Sequence, residues 1–186
     1  MDIPMKVENV VSFAVLGKKI PLNKIVSSAE ATEYEPEQFP GVIYRIQSPR
    51  AAALIFSSGK IVCTGAKSIE LSRQAMERVL VMLRNAGVRV PKLFEFRIEN
   101  IVASARIKAE LKLAELTFSL ENAEYEPEQF PGVIYRIKDP RATFLIFSTG
   151  KLICTGTKSL EDAQKAFAKL KTKLEAVGIK VVFAQQ

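Results

Sequence analysis

The sequence predicts an α+β fold made of two tandem copies of one unit, and three observations support that prediction. Residues 34–46 recur letter for letter as residues 125–137. At the same offset, 40 of the 83 paired positions from the pair 8/99 to the pair 90/181 are identical. Each copy also contains several short apolar runs between turn residues, typical of antiparallel strands, and one long stretch with helical apolar spacing. The predicted repeats are residues 1–91 and 92–186.

A repeat of this length distinguishes the chain from a solenoid, whose units run about 20–50 residues. Two fused copies of a larger unit are instead expected to give two similar halves related by a pseudo-two-fold axis. Placed side by side, the two halves would form one continuous antiparallel sheet of about ten strands, with the helices on one side.

In the first copy the predicted order of elements is β-α-β-β-β-β-α. The strands are runs rich in Val, Ile and Tyr, the short helix opens at Pro21, and Ser58-Gly59 forms a tight hairpin. Ser68 is the predicted N-cap of the long helix, and Gly87 ends that helix in a left-handed conformation. The predicted strands are residues 6–15, 31–34, 42–47, 51–57 and 60–65, and the predicted helices are residues 21–28 and 68–86.

The second copy repeats this order and shows the apolar face of its long helix clearly. Its main strands are predicted at residues 94–106, 132–138, 143–148 and 151–156, and its helices at residues 113–120 and 159–177. Apolar residues in the long helix step by three and four, which predicts one buried stripe. The stripe consists of Leu160, Ala163, Phe167, Leu170, Leu174 and Val177.

Composition indicates a soluble, intracellular protein whose charge suits a polyanionic partner, although many soluble basic proteins bind no polyanion. Hydrophobic residues make up 48% of the chain and charged residues 25%, which is ordinary for a globular protein. No run approaches the roughly 18 apolar residues of a membrane span, and no signal peptide is visible at the start. The net charge of +7 suits a polyanion.

Residue chemistry argues against an enzyme and against a bound metal or cofactor. The chain has no histidine, no Gly-rich phosphate loop and no Ser or Cys beside a base. The side chains that usually perform acid–base or nucleophilic catalysis are therefore not predicted to meet in one site. Cys63 and Cys154 occupy matching places and are predicted to be buried thiols, with a disulfide between them as the alternative. Two cysteines without histidine do not make a zinc site of the usual ligands.

The strands predict one apolar sheet face that no helix covers. Leu54 and Phe56 point to the face opposite Ile55, and both faces are apolar, so both should be buried. Each copy offers one long and one short helix, enough for one face only. The other face is expected to be a binding surface or a dimer interface made of Val11, Leu54, Phe56, Val62 and Thr64 with Val102, Leu145, Phe147, Ile153 and Thr155. The alternative is that further elements cover this face and it is simply core.

Basic residues surround that face at matching positions in both copies. An apolar floor with a cationic rim fits a wide polyanion that has an apolar surface, such as the opened minor groove of a DNA duplex. The alternative is an ordinary solvated face. The rim residues are Arg45, Arg50, Lys60 and Lys67 in the first copy and Arg136, Arg141, Lys151 and Lys158 in the second.

Three duplicated motifs resemble the TATA-box-binding protein family, in its archaeal form. They are Glu-Pro-Glu-Gln-Phe-Pro-Gly, the hairpin Leu-Ile-Phe-Ser-Ser/Thr-Gly-Lys, and Cys-Thr-Gly-Ala/Thr-Lys. The resemblance covers nearly the whole chain. It implies one curved sheet, a saddle with helices on the convex face, whose concave face sits in the minor groove of a TATA element. It also implies a general transcription initiation factor that kinks DNA with phenylalanines.

Carried over by matching positions, the resemblance assigns roles to specific residues. The DNA wedges are Phe39, Phe56, Phe130 and Phe147. The base-edge residues are Asn9, Asn100, Thr64 and Thr155, and the apolar groove floor is Val11, Val102, Leu54, Leu145, Val62 and Ile153. Arg45 and Arg136 match phosphate-binding arginines, and the other six rim cations are expected to contact phosphates near them. Gln38 and Gln129 precede the wedges, and Gln38 departs from the basic residue that many relatives carry, which removes one phosphate contact.

The resemblance also implies partners and a location. The loop of Glu126 and Glu128 is expected to bind a transcription factor B-type protein, which brings in the RNA polymerase machinery. The sheet face is expected to allow self-association without DNA. The predicted location is the nucleoid of the cytoplasm in an archaeon, or the nucleus in a eukaryote.

Each site residue also has a simpler interpretation. Phe39 and Phe130 can fill the base of their own loops, Asn9 and Asn100 can be turn or edge residues, and the loop acids can be solvated. A protein-interaction module, whose bare face binds a helix or a second copy, is the main alternative function.

Overall fold

The computed structural model describes residues 2–185, which pack into two compact units. The first unit is Asn9–Glu99, and the second consists of the described residues before Asn9 and from Asn100 onward. Each unit follows the predicted order of elements. The strands are β1 (Lys6–Val15), β2 (Thr32–Glu33), β3 (Gly41–Gln47), β4 (Arg50–Phe56), β5 (Lys60–Ala66), β6 (Glu95–Arg106), β7 (Ala123–Glu124), β8 (Gly132–Lys138), β9 (Arg141–Phe147) and β10 (Lys151–Thr157). The helices are α1 (Leu22–Ser28), α2 (Ile69–Asn85), α3 (Leu113–Ser119) and α4 (Leu160–Ala176).

The strands of each unit pair in antiparallel order. In the first unit the order is β2-β3-β4-β5-β1, and in the second it is β6-β10-β9-β8-β7. Short hairpins join the middle strands, for example with Val42 opposite Ile55 and Leu54 opposite Val62. The register shifts once in each unit, in β1 between Val10 and Ser12 and in β10 between Cys154 and Thr157.

The long helices begin where the sequence predicts. The Ser68 hydroxyl accepts a hydrogen bond from the Leu71 N–H at 3.0 Å, and Ser159 does the same for Asp162 at 3.1 Å. These bonds satisfy donors that have no partner within the helix. Gly87, just beyond α2, has a φ of 77°, a left-handed conformation that glycine adopts without steric cost.

Each unit buries one face of its sheet beneath its helices. In the first unit, Ile55, Ile61 and Cys63 share a core with α2 residues such as Leu83. In the second, Phe144 of β9 and Phe167 of α4 are fully buried, and their rings meet edge to face at 5.2 Å.

One residue of the apolar stripe predicted for the second long helix is not buried. Leu160 is 43% exposed because it opens α4, one turn before the helix face meets the sheet.

The segments that lead into β1 and β6 each pack in a unit with the other repeat. Phe94 and Phe96 pack against the first core, and Ile3 and Met5 pack against the second. Gln164 fixes the early segment, because its amide accepts from the Ile3 N–H and donates to the Ile3 carbonyl, both at 2.9 Å. A compact unit and a sequence repeat are therefore different divisions, and repeat bounds at residues 1–91 and 92–186 stay a prediction.

Both cysteines are buried free thiols, as predicted in preference to a disulfide. Burial raises the pKa of Cys63 to about 11 and that of Cys154 to about 12, because a thiolate loses its hydration there. Among residues 2–185, no helix combines the length and the apolar character that crossing a membrane requires.

These raised pKa values predict slow thiol chemistry in the folded protein. At pH 8 the thiolate fraction of a group with a pKa two units above normal is about 100-fold lower, and only the thiolate reacts. Labelling with a chromogenic disulfide reagent should therefore be slower than for a small thiol by at least that factor, and it should become fast in guanidinium. Fast labelling of the native protein would contradict this burial.

The same pKa values bear on stability. Because both thiols ionise at a lower pH in the unfolded chain than in the folded protein, the free energy of unfolding should fall as the pH rises above about 9.

Candidate nucleic-acid interface

In each unit, the sheet face opposite the core is apolar and partly exposed. Along β4 the fully buried residues Ala53 and Ile55 alternate with the partly exposed Leu54 and Phe56. Leu54 lies opposite Val62 of β5, so their side chains are neighbours on that face. The second unit repeats the arrangement with Leu145 and Phe147 on β9 and Ile153 on β10, while Val11 and Val102 are also partly exposed. Partial exposure contradicts the alternative that this face is simply core.

The four predicted wedge phenylalanines form two pairs at matching places. The rings of Phe39 and Phe56 meet edge to face at 5.6 Å, and those of Phe130 and Phe147 at 5.7 Å. All four remain partly exposed. The loop ring and the strand ring therefore support each other, which fixes their positions without burying them in the loop base.

The glycine of each Phe-Pro-Gly sequence makes this pairing sterically possible. A Cβ on Gly41 would lie 2.9 Å from the Phe39 ring, 3.1 Å from the Ile55 carbonyl oxygen and 3.3 Å from the Phe56 ring. Gly132 is in the same position beneath Phe130 and Phe147. The loop itself is a tight turn, since the N–H groups of residues 38 and 39 both donate to the Glu35 carbonyl at 2.9 Å. The motif thus places a ring on the sheet face.

Asn9 and Asn100 are held in one orientation by the backbone. The Asn9 Oδ1 accepts from the Gly65 N–H at 2.7 Å, and its Nδ2 donates to the Thr64 Oγ1 at 3.1 Å. Asn100 makes the matching bonds in the second unit, at 2.7 Å from the Gly156 N–H and 3.0 Å to the Thr155 Oγ1. A structural role in a turn or at a sheet edge does not by itself account for this arrangement, because each amide is also held against a threonine hydroxyl.

Each Asn–Thr pair keeps one amide N–H that has no use within the pair, because the asparagine donates only one of its two N–H groups to the threonine oxygen. The threonine hydroxyl donates to the asparagine Oδ1 over a long distance, 3.5 Å in the first unit and 3.4 Å in the second, and it can exchange that weak bond for one to a ligand. Such donors on an apolar face suit a ligand that presents acceptors only. The minor groove at A·T pairs is such a surface, since it offers only A N3 and T O2, whereas a G·C pair adds an amino group.

The eight rim cations are all exposed, and one arginine in each unit contacts an acidic side chain on the neighbouring strand. The Arg45 Nε lies 3.2 Å from a Glu33 oxygen, and the Arg136 Nη1 lies 2.7 Å from a Glu124 oxygen. Each arginine lies across the sheet from a base-edge threonine. In the first unit Ala52 pairs with Arg45 on one side and with Thr64 on the other. In the second unit Thr143 pairs with Arg136 and Thr155 in the same way. The remaining six are Arg50, Lys60, Lys67, Arg141, Lys151 and Lys158.

Several residues of these faces escaped the sequence prediction. Glu33 and Glu124 orient the rim arginines, and they lie twelve residues away in the chain, so only strand register reveals the contact. Phe13 lies opposite Val62 on the exposed face of the first unit. Its alternation with Val11 and Val15 along β1 is the sequence signal that would have found it.

The loops of Glu35 and Glu37 and of Glu126 and Glu128 are exposed in both units. Nothing in the local geometry distinguishes the second loop from the first, so its partner role stays a prediction.

Comparison with known proteins identifies the family. The family model described as "Transcription factor TFIID (or TATA-binding protein, TBP)" matches residues 4–86 and 95–177. The chain belongs to the TATA-binding protein family. It is 48% identical over 173 residues to the TATA-box-binding protein of Methanothermobacter thermautotrophicus, covering 93% of this chain and 96% of the relative. It is 46% identical to that of Archaeoglobus fulgidus over 180 residues, covering 96% and 98%.

A solved structure of this family has the same fold. The structure of Methanococcus jannaschii TBP superposes with a TM-score of 0.85 at 43% sequence identity, covering 92% of this chain and 98% of the other. The predicted fold class is confirmed, an α+β chain of two tandem repeats with ten strands and four helices in residues 2–185. The resemblance to the archaeal branch of the family is also confirmed.

Proposed function

We propose that this chain is a general transcription initiation factor that binds the minor groove of A·T-rich TATA elements. It kinks the DNA by inserting phenylalanines and starts assembly of the basal transcription complex. The single observation that carries the proposal is that both units combine the same three parts on one exposed sheet face: an apolar floor, a backbone-fixed Asn–Thr pair and a supported pair of phenylalanines. Membership of the family supports it.

The floor and the Asn–Thr pairs select A·T pairs. Leu54, Val62 and Val11, with Leu145, Ile153 and Val102 in the second unit, can cover acceptor edges but cannot hydrogen-bond a guanine amino group. Burying that group without a partner costs about 1–3 kcal/mol on protein scales. Asn9, Thr64, Asn100 and Thr155 donate to the A·T acceptors, so the face favours A·T by attraction and disfavours G·C by desolvation.

The phenylalanine pairs supply the kink. TATA-binding proteins are themselves a standard example of wedge insertion in the minor groove, where unstacking costs a few kcal/mol per step. Phe39 with Phe56 and Phe130 with Phe147 enter base steps, one pair at each end, and the two rings of each pair support each other. Burial of the apolar floor, at about 25 cal/mol per Å², offsets the unstacking and bending. Flexible TA steps lower the bending cost, which adds to sequence preference.

The rim cations neutralise phosphates along the DNA backbone. Arg45 and Arg136 keep free nitrogens beyond their contacts with Glu33 and Glu124, and the carboxylates hold the guanidinium groups in place. Gln38 and Gln129, which precede the loop wedges, contribute no charge. These contacts position the protein and add affinity without reading sequence.

The partners follow from the family. A transcription factor B-type protein is proposed to contact the loop of Glu126 and Glu128, and RNA polymerase joins through it. Without DNA, the apolar face allows two copies to associate. The protein then works at the nucleoid, in the cytoplasm of an archaeal cell. The relatives of this chain are TATA-box-binding proteins, which bind DNA, so we propose no enzymatic role.

A gel-shift series with two duplexes tests the function. The chain should shift a duplex with a central TATA element, and replacing its A·T pairs by G·C should lower the affinity by at least tenfold. If about six of the eight rim cations contact phosphates, log K should fall with log salt at a slope near −5.

A protein-interaction module would behave differently in the same series. Its self-association would be insensitive to salt, and neither duplex would shift. Equal affinity for both duplexes would contradict minor-groove recognition while leaving general DNA binding in place.

A further inference from the structure

The exposed sheet faces of the two units differ at one position, where the sequence repeat aligns a phenylalanine with a serine. Phe13 of β1 and Ser104 of β6 occupy matching places, opposite Val62 and Ile153 respectively. Both therefore lie on the same face as the proposed groove floor. Elsewhere the floor residues of the two units are identical or differ only between valine and isoleucine.

In the first unit, Phe13 is a platform for two cations. The Arg97 guanidinium carbon lies 4.3 Å from the ring centroid, and the Lys60 Nζ lies 5.3 Å from it. The ring is only 5% exposed, whereas 59% of the Arg97 side chain is accessible to solvent. Glu95 contacts the Arg97 Nε at 3.2 Å, which leaves the two terminal nitrogens as donors.

In the second unit, the matching place holds a serine instead of an aromatic ring, so it offers no aromatic face for a cation. The Ser104 hydroxyl donates to the Glu8 carboxylate at 2.7 Å. Lys6 occupies the position that matches Arg97, and Lys151 the position that matches Lys60. Lys6, Lys151, Glu8 and Ser104 line one shallow pocket, so cationic and anionic groups share the same local surface.

A cation held over an aromatic ring is preorganised for binding a phosphate, whereas a mobile cation must first be ordered. An aromatic face attracts a guanidinium or ammonium group and restricts its position, while the N–H groups at the guanidinium edge stay free. That edge matches the geometry of a phosphate, with two parallel hydrogen bonds.

We propose that Phe13, Arg97 and Lys60 form a preorganised contact for the DNA backbone that the second unit lacks. The two halves of the protein therefore hold the phosphates with unequal strength. This inference rests on the proposed function. It makes Arg97 a phosphate-binding residue and Phe13 a positioning residue.

The repeat supplies a matched pair of variants for the test. Binding of a labelled TATA duplex is measured against salt for the wild type, Arg97→Gln and Lys6→Gln. Arg97→Gln should weaken binding by about threefold to fivefold and make the salt slope shallower by about 1. Lys6→Gln, which removes the same charge at the matching position without an aromatic beneath it, should change the affinity less than twofold.

A double-mutant cycle then tests the role of the ring. In a Phe13→Leu background, which keeps an apolar side chain on the floor, the effect of Arg97→Gln should shrink to less than twofold. Phe118→Leu is the control for loss of an aromatic ring, since Phe118 is 94% exposed on α3, and it should leave both affinity and slope unchanged.

Each outcome decides the inference separately from the proposed function. A wild-type protein that does not shift the duplex refutes the function itself. Normal wild-type binding with equal effects of Arg97→Gln and Lys6→Gln overturns the inference alone. An undiminished effect of Arg97→Gln in the Phe13→Leu background also overturns it. A thermal melt of each variant within a few degrees of the wild type shows that the fold is intact.

Discussion

Replacing Phe56 and Phe147 together by alanine is expected to abolish the bending of a TATA duplex and to weaken binding by at least about 100-fold. Each ring stands partly exposed on a sheet face and is available to enter a base step. Removing two buried aromatic contacts costs roughly 1.5–3 kcal/mol each, and about 3 kcal/mol in total already corresponds to more than 100-fold in affinity.

The pairing of the rings makes this effect larger than the loss of two contacts. Phe39 meets Phe56 edge to face, so truncating Phe56 removes the neighbour that supports the loop ring. Phe130 and Phe147 are coupled in the same way. The double variant should thus behave as though all four wedges were impaired, and effects within each pair should be non-additive.

Energy transfer between dyes at the two ends of the duplex measures the bend, and titration gives the affinity. Phe118→Ala is the matched control, because it removes an equally large ring from an exposed position on α3. The stability of the double variant should fall only modestly, since the rings are not core. A double variant that still bends the duplex would show that the kink arises from the rim contacts instead.

The order of elements could be predicted because the chain gives each signal twice. Ser68 and Ser159 both cap long helices, and both Phe-Pro-Gly sequences precede strands, so an ambiguous signal in one copy was resolved by the other. The alternation of Leu54 and Phe56 with Ile55 also predicted the exposed face correctly. These features are local, and local periodicity in a sequence carries them.

Contacts between distant strands could not be predicted in the same way. Glu33 and Arg45 meet because β2 and β3 pair in one register, and a shift of one residue would separate them. The contact of Arg97 with Phe13 joins residues far apart in the chain. The exposure of Leu160 has another cause, since helical spacing identifies a face but not the turn at which that face leaves the sheet.

Phe167→Ala is expected to destabilise the protein by about 3–5 kcal/mol, the largest effect on stability among these predictions. Phe167 of α4 is fully buried and joins the helix to the sheet through Phe144. The substitution leaves a cavity at the centre of the second core and also removes an edge-to-face contact worth about 0.5–1.5 kcal/mol. A loss of that size is a large share of the 5–15 kcal/mol by which most domains are stable.

The matching positions of the first unit explain why the cavity should not close. Ala53 and Met76 stand where the second unit has Phe144 and Phe167, so the first core fills the same space with a small residue and a flexible one. Two rigid rings cannot adjust in that way, since they leave a gap of fixed shape when one is removed. Phe167→Met should therefore recover more than half of the loss, because methionine is the residue at the matching place.

Urea unfolding followed by circular dichroism measures the change, and hydrogen exchange locates it. Amides of β8, β9 and β10 should lose protection first, because their core contains the cavity. Equal stability of Phe167→Ala and Phe167→Met would contradict this account of the core, since the two differ only in how much of the cavity they fill. The affinity for DNA should fall together with the stability in these variants. Phe147 lies on the opposite face of the same strand as Phe144, so a loosened core weakens the support of a proposed wedge.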